Sequence, residues 1–447
     1  MYLKKRKREK CVIAMIILFL AAVFPAQAQE NSTKIWTLEE CIKQGVENNI
    51  QIKQNELDVE ISQGDLSQSK AEFLPNLNAG ASQEYATGKS STDYVNSSNS
   101  TYFSLTTEYA IFKGFQRKAM VNYNKINLDS KLKLVDKAKN DVALNIATYY
   151  LQVLYYKELI KVSKVQIDLS QLQVERVEKL VKAGSLPEGN LSEIKSQLAQ
   201  DQMQLVDAEN NLSTSKLNLT QLLELKSTNG FDVVEPSSLM IVVDASNQVD
   251  VNQIFDDAQK VLPELKSAEL RTEAAKQLLL YQKGAYLPSL NLTGRIYSGY
   301  TDMSSLSFNN QLTDNFKKSL QLGLNIPIFN NLRTKNSVAT ARINIVKSEN
   351  DLELARKVVY KDIQTAQNNA FSALKKYEAT NVALVASQEA FRYAKQKFEA
   401  GSLSTFDFNT AKTKLAKVES ELLQSKYDYL FRSKILDFYR GRSITLN

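Results

Sequence analysis

Apolar and polar side chains alternate in four stretches of the chain. Leu77, Ala79, Ala81 and Tyr85 interleave with Asn78, Gly80, Ser82 and Glu84; Phe103, Leu105, Tyr109 and Ile111 interleave with Ser104, Thr106, Glu108 and Ala110. The pattern returns in Leu290, Leu292 and Ile296 against Asn291, Thr293 and Arg295. It returns again in Leu320, Leu322, Leu324, Ile326 and Ile328 against Gln321, Gly323 and Asn325. A period of two with one polar face predicts strands over 77–88, 101–112, 290–300 and 318–329. Such a face fits either two soluble hairpins or membrane strands with lipid on one side and water on the other. Lys89–Ser100 and Thr301–Lys317 are expected to be polar connections. Tyr85, Tyr102, Tyr109, Phe112, Tyr297, Tyr300 and Phe329 lie near the strand ends, where an aromatic girdle would sit.

Between these stretches the period is helical. Residues 116–183 and 330–400 contain neither proline nor glycine and are rich in Ala, Leu, Lys, Gln and Glu, which favours unbroken helix. Long helices are expected over 116–183 and 333–400, with shorter ones over 187–225 and 404–440. At ~1.5 Å per residue each long helix spans about 100 Å, more than a globular core requires. Ile146, Tyr149, Val153, Tyr156 and Ile160 follow a 3-4 spacing, as do Leu352, Ala355, Val359 and Ala366. That rhythm needs partner helices along its length.

The chain is also an internal repeat. Leu180–Leu186 (LVKAGSL) recurs as Lys397–Leu403 (KFEAGSL), and Ile111-Phe112 recurs at the same offset as Ile328-Phe329. Ala71–Leu77 (AEFLPNL) recurs as Gly284–Leu290 (GAYLPSL) at a slightly smaller offset. Two structural repeats follow, over 29–225 and 251–440. A linker at 226–250 contains the strand-like Met240–Val243, and a short tail occupies 441–447.

Four strands cannot close a membrane barrel, because single-chain barrels begin at about eight, and open edges are not tolerated in lipid. If the strands span, copies must associate, and a trimer would make a 12-stranded barrel.

Net charge is +7, with 56 Lys+Arg, 49 Asp+Glu, no histidine and two cysteines. Most of the excess is local. Lys4, Lys5, Arg6, Lys7, Arg8 and Lys10 against Glu9 give +5 ahead of Ala28. With the apolar Cys11–Phe24 and the Ala26-Gln27-Ala28 cleavage pattern, residues 1–28 are expected to be a signal peptide. The rest of the chain is near neutral, which withdraws a nucleic-acid reading. The absence of histidine removes His-containing triads and His-ligated metals. No phosphate-cradling glycine loop or CxxC is present, so no enzyme, metal or cofactor is expected. Cys41 is left alone after cleavage.

The duplicated Leu-Pro-x-Leu strand entries, Ile-Phe strand exits and Ala-Gly-Ser-Leu helix breaks, with Thr37–Ile42 (TLEECI) near the mature start, resemble the TolC-type outer-membrane efflux protein family. The resemblance implies a mainly α fold with a transmembrane β part: a trimeric 12-stranded barrel continuous with a long periplasmic α-helical barrel. It further implies an equatorial belt, for which 226–250 is the candidate. It implies a passive exit channel in the outer membrane of a Gram-negative bacterium, working with a periplasmic adaptor and an inner-membrane pump of RND, ABC or MFS type. A non-channel coiled-coil scaffold or adhesin is the alternative from a different class.

Family members dock their adaptor at the helix-to-helix breaks, which match Gly184, Ser185 and Leu186 and Gly401, Ser402 and Leu403 here. Ser185-x-x-Glu188 and Ser404-x-x-Asp407 both fit capping boxes, as any helical hairpin would. The family's entrance lock corresponds to Asn190, Phe398, Phe406 and Asp407. The best-known members carry aspartate where Asn190 and Thr410 stand, arginine at Leu403 and tyrosine at Phe398. The ionic lock therefore does not transfer. A ring of Asp407 carboxylates and an apolar constriction of Phe398 and Phe406 are the expectations here.

Overall fold

The computed structural model describes residues 34–90, 93–235 and 250–442. The expected signal peptide and Met240–Val243 lie outside them. The helices are α1 (Leu38–Asn48), α2 (Ile50–Ala71), α3 (Gln116–Lys182), α4 (Glu188–Leu222), α5 (Val251–Val261), α6 (Pro263–Gly284), α7 (Phe308–Asp314), α8 (Arg333–Glu399) and α9 (Thr405–Tyr439). The strands are β1 (Lys34–Trp36), β2 (Asn76–Ser90), β3 (Asp93–Lys113), β4 (Phe231–Val233), β5 (Ser289–Thr301) and β6 (Lys317–Asn325).

Helix lengths repeat to the residue: 11 for α1 and α5, 22 for α2 and α6, 67 for α3 and α8, and 35 for α4 and α9. Each repeat opens with two helices rather than the one expected. Asn49 ends α1 and caps α2, its side-chain oxygen accepting from the N–H groups of Gln51 and Ile52 at 2.9 and 3.4 Å. At the matching break Pro263 opens α6, where its missing N–H costs nothing.

The four long strands form one antiparallel sheet in the order β2-β3-β5-β6. Its strands depart from the expected bounds in three places. The polar segment 89–100 is largely strand, because β2 and β3 pair up to Ser90↔Asp93; backbone bonding needs no apolar side chain. β6 stops at Asn325 instead of 329, two residues before Pro327, which has no N–H for a ladder. The 301–317 connection contains the unforeseen α7.

Helices flank one another in the same lateral order as the strands they feed. α2 packs on α3, α3 on α6 and α6 on α8. Further from the sheet, α4 pairs with α3, α9 pairs with α8, and α9 joins the pairs through α3. One core lies at mid-length, where Trp36, Leu38 and Cys41 meet Val142, Ile146, Tyr150 and Leu154 of α3 and Leu219 of α4. There β1 and β4 pair in parallel (Lys34↔Phe231 to Trp36↔Val233), so the linker is strapped to the segment that leads into α1. The buried Tyr150 hydroxyl lies within hydrogen-bond distance of two strap carbonyls, Val234 at 2.9 Å and Trp36 at 3.3 Å. Burial and nearby acidic groups raise its pKa well above the usual phenol range. Lys157 and Lys216 each pair with Asp232 at 3.1 Å, locking the strap from α3 and α4.

Candidate functional site

Two regions carry the features expected of a channel: the strand wall and the helix tips. Directly paired residues share a face of the sheet, so register decides whether the four alternating patterns agree. They do. Ala79 pairs with Leu105 and Leu105 with Ile296; Tyr109 pairs with Leu292 and Leu292 with Leu322; Leu290 pairs with Leu324. The opposite face holds Asn78↔Thr106, Thr106↔Arg295 and Arg295↔Ser319, with Glu108↔Thr293 and Thr293↔Gln321. One face is therefore mainly apolar across all four strands, although Gln83, Thr101, Thr107 and Lys318 also stand on it; the other is mainly polar and includes Tyr102 and Tyr297.

A bulge between Ala110 and Phe112 shifts the parity of β3. Phe112, not Ile111, then stands opposite Leu290 on the apolar face. The freed carbonyls of Ala110 and Ile111 accept from the guanidinium of buried Arg117, which also donates to the Glu72 carbonyl at 2.9 Å. Arg117 stacks over the Phe73 ring at 4.6 Å. It therefore joins the end of α2, the strand exit and the start of α3. Nothing in the local sequence marked it.

Both lateral edges of the assembly are open in the single chain. β2 and β6 bound the sheet. Beneath them α2 exposes Ile50, Leu57 and Ile61, and α8 exposes Ile343, Val346 and Leu354.

At the far end of the helices the two tips are alike in backbone. Gly184 and Gly401 have φ of +71° and +73°, where nothing lies within reach of an added Cβ. Around each, two bonds close the helix end: Gly184 N–H to Val181 O and Ser185 N–H to Leu180 O, matched by Gly401 to Phe398 and Ser402 to Lys397. This is the Schellman closure that glycine permits. Gly184, Ser185, Gly401 and Ser402 are exposed, whereas Leu186 and Leu403 are half-buried against the tip core.

The two caps differ. The Ser404 hydroxyl accepts from Asp407 N–H at 3.1 Å and donates to its carboxylate at 2.7 Å. The Ser185–Glu188 box does not form, because Pro187 occupies the N-cap and supplies no side-chain cap. Asn190 donates to Thr405 Oγ1 at 2.9 Å, tying the tips together. Phe398 is only 7 % exposed and stacks on Phe408 at 4.5 Å, inside a cluster with Val177 and Ile194. It packs the helices of the two tips against each other. Phe406 is 66 % exposed and Asp407 is exposed beside it.

Above the tips lies a buried ion pair that sequence reading missed. Lys412 of α9 donates to Asp201 of α4 at 2.7 Å, with side chains 3 % and 7 % exposed. Lys412 also donates to the Gln166 carbonyl at 3.1 Å and to the Ser170 hydroxyl, and Gln197 donates to Asp201 at 2.8 Å. The signal was present in spacing. Asp201 stands in the heptad series Ile194, Asp201, Ala208, Ser215, and Lys412 falls four after Phe408 and three before Leu415, all of them buried. Charges at core positions imply each other.

Among the described residues no helix is long and apolar enough to cross a membrane. Also among the described residues, no group of acidic or cysteine side chains is placed to hold a metal.

An apolar-faced antiparallel sheet continuous with helices of about 100 Å defines a TolC-like outer-membrane channel fold. The model of the outer membrane efflux protein family matches residues 41–224 and 254–442, and the chain belongs to that family. It is 22% identical over 391 residues to outer membrane protein TolC of Salmonella enteritidis, covering 86% of this chain and 76% of the relative. It is 18% identical to outer membrane efflux protein BepC of Brucella suis, covering 97% and 90%. The crystal structure of CusC superposes with a TM-score of 0.79 at 18% identity, covering 94% of this chain and 96% of the other. The protein is an outer-membrane efflux channel component.

Proposed function

We propose that three copies of this chain form a closed exit duct. Its apolar strand face meets outer-membrane lipid, and its polar face, with Glu108, Arg295 and Gln321, lines water. The observation that carries this reading is the pair of open edges. The chain ends laterally in β2 over α2 on one side and β6 over α8 on the other, and both helices expose apolar side chains. A head-to-tail ring joins each edge to its complement and leaves none free. Four strands per copy give 12 in a trimer, within the size range of membrane barrels.

The duct does no chemistry of its own. A periplasmic adaptor docks at the exposed Gly184-Ser185 and Gly401-Ser402 turns, and an inner-membrane pump supplies substrate and energy. At the entrance the exposed Phe406 and Asp407 of three copies converge, and a carboxylate ring there favours cations.

The test is a purified particle in planar bilayers. A trimer that conducts ions is expected, with Asp407→Asn reducing cation preference and Phe406→Ala raising conductance. Unchanged conductance and selectivity in both variants would remove these residues from the entrance, and a soluble monomer would sink the duct itself.

A further inference from the structure

The two hairpins reach different heights. β2 and β3 pair up to Ser90↔Asp93, but β3 pairs with β5 only as far as Ser100↔Thr301. β6 starts lower still, with Lys317 opposite Tyr297. The lane beside the top of β5 is thus vacated by β6, and α7 fills it. Its Gln311 is fully buried, with Oε1 accepting from Thr301 N–H at 2.9 Å and Nε2 donating to Thr301 O at 3.0 Å. That side chain substitutes for a strand partner. Asn315 donates to the Gly299 carbonyl at 2.8 Å and Ser298 to the Leu312 carbonyl at 2.6 Å. The connection is built, not a loose loop.

One wall of this element is occupied by its own chain. Asn99 N–H donates to the Asp302 carboxylate at 2.9 Å and Asp302 N–H to Asn99 O at 3.1 Å, fastening it to the tall hairpin. The connection also exposes apolar side chains, Met303, Leu306, Phe308 and Phe316; of these Phe308 leans on Tyr300 and Phe316 lines a hollow with Phe103 and Ile296. In a closed ring the next strand beyond β6 is β2 of the adjacent copy. β2 has 15 residues and β6 has 9, so β6 cannot pair with all of it. The upper part of β2 keeps unpaired edge N–H and C=O groups. Tyr85 there is exposed and pairs with Asn99, which places it on the apolar face. Ser298 and Tyr300, the residues α7 leans on through Leu312 and Phe308, stand on that same face. Acyl chains offer no hydrogen bonds to such an edge, whereas the polar and apolar groups of a folded loop can cover it.

We propose that the β5–β6 connection, with α7 as its body, is an inter-subunit clamp seated against the upper half of β2 of the next copy. It fills the notch between two tall hairpins. The proposal rests on the trimeric duct, and the test separates the two. The full-length protein carrying Tyr85→Cys with Leu306→Cys is treated in detergent with a short bifunctional maleimide. The wild type, with buried Cys41, and each single variant serve as controls. Covalent dimers and trimers are expected from the double variant alone, and trimers are expected by light scattering in all samples. Trimers without cross-linked species overturn the clamp while leaving the duct standing. In that event Phe308→Trp fluorescence quenched by brominated phospholipid would show lipid on the face instead. A monomeric particle overturns both. Emission of Phe308→Trp that brominated phospholipid leaves unquenched, together with the cross-link, is the result expected of a covered face.

Discussion

The two repeats have helices of identical length and play different parts. α3 lies between neighbours on both sides and buries side chains along most of its length, among them Val142, Ile146, Tyr150 and Leu154. α8, its equal in length, buries fewer and leaves an apolar side exposed at the edge of the chain. The contrast extends to single positions separated by the repeat offset. Buried Lys412 corresponds to exposed Lys195, and Arg117, which stitches three elements, corresponds to Thr334. Ser404, which caps α9, corresponds to Pro187, which does not cap α4. A duplicated sequence fixes element lengths, while position in the assembly decides which copy becomes core and which becomes edge.

Substitutions in the two repeats test this contrast. The largest effect is expected at the ion pair. Lys412→Met strands the buried Asp201 carboxylate and should lower stability by about 3–5 kcal/mol. Lys195→Met at the matching exposed site should change it by about 0.5 kcal/mol or less. Denaturant unfolding in detergent, followed by circular dichroism, measures both, and equal losses would remove the asymmetry between the copies.

Next comes the elbow between strand and helix. Gly114 has φ +55°, and an added Cβ would stand 2.1 Å from the Gly284 carbonyl oxygen; the reverse approach, from Gly284 to the Gly114 carbonyl, is 2.3 Å. Gly284→Ala should therefore cost about 1–3 kcal/mol through overpacking. In the second repeat Asn331 holds the same left-handed place with φ +56°. Asn331→Gly should be close to neutral, and melting temperature separates the two.

The tip caps come third. Ser404→Ala removes a side-chain cap and should cost about 1 kcal/mol, whereas Ser185→Ala has no cap to lose. Hydrogen exchange at the first turns of α9 and α4 resolves the difference locally. Faster exchange in both would mean that Ser185 caps after all.

The smallest effect is electrostatic. Burial raises the pKa of Glu419, opposed by a hydrogen bond from Gln166. A raised folded-state pKa favours the folded protein below the ordinary carboxylate range, and that contribution is lost as pH rises through the raised value. Glu419→Gln, which copies Gln202 of the first repeat, should therefore stabilise slightly at neutral pH. The gain should vanish below the ordinary glutamate pKa of ~4.3, where the side chain is protonated in both states. Melting temperature against pH for both proteins checks the sign.

Much of the architecture was legible because it is periodic. The 3-4 spacing and the lack of proline and glycine marked the long helices almost to their ends. The strands were visible from alternation, since one face must meet an apolar medium. Their ends were not, because Ser90↔Asp93 pairing depends on backbone bonding and not on side-chain polarity. The tip turns were readable in Gly184 and Gly401, where only glycine takes positive φ without strain. The packing of Phe398 on Phe408 was not legible, because spacing along one helix does not say which helix faces it.

Spacing and composition alone settle the repeat, the helix lengths, the period of each strand and the neutral character of the chain beyond Ala28. Each of these is a local property of the chain. Packing in three dimensions settles the rest: that Lys412 meets Asp201 across neighbouring helices, that Arg117 stitches a bulge to a helix end, and that α7 stands in for a strand. The first of these contacts joins positions 211 apart in the chain. Spacing marks Asp201 and Lys412 as core charges, but packing geometry sets which side chain each one meets.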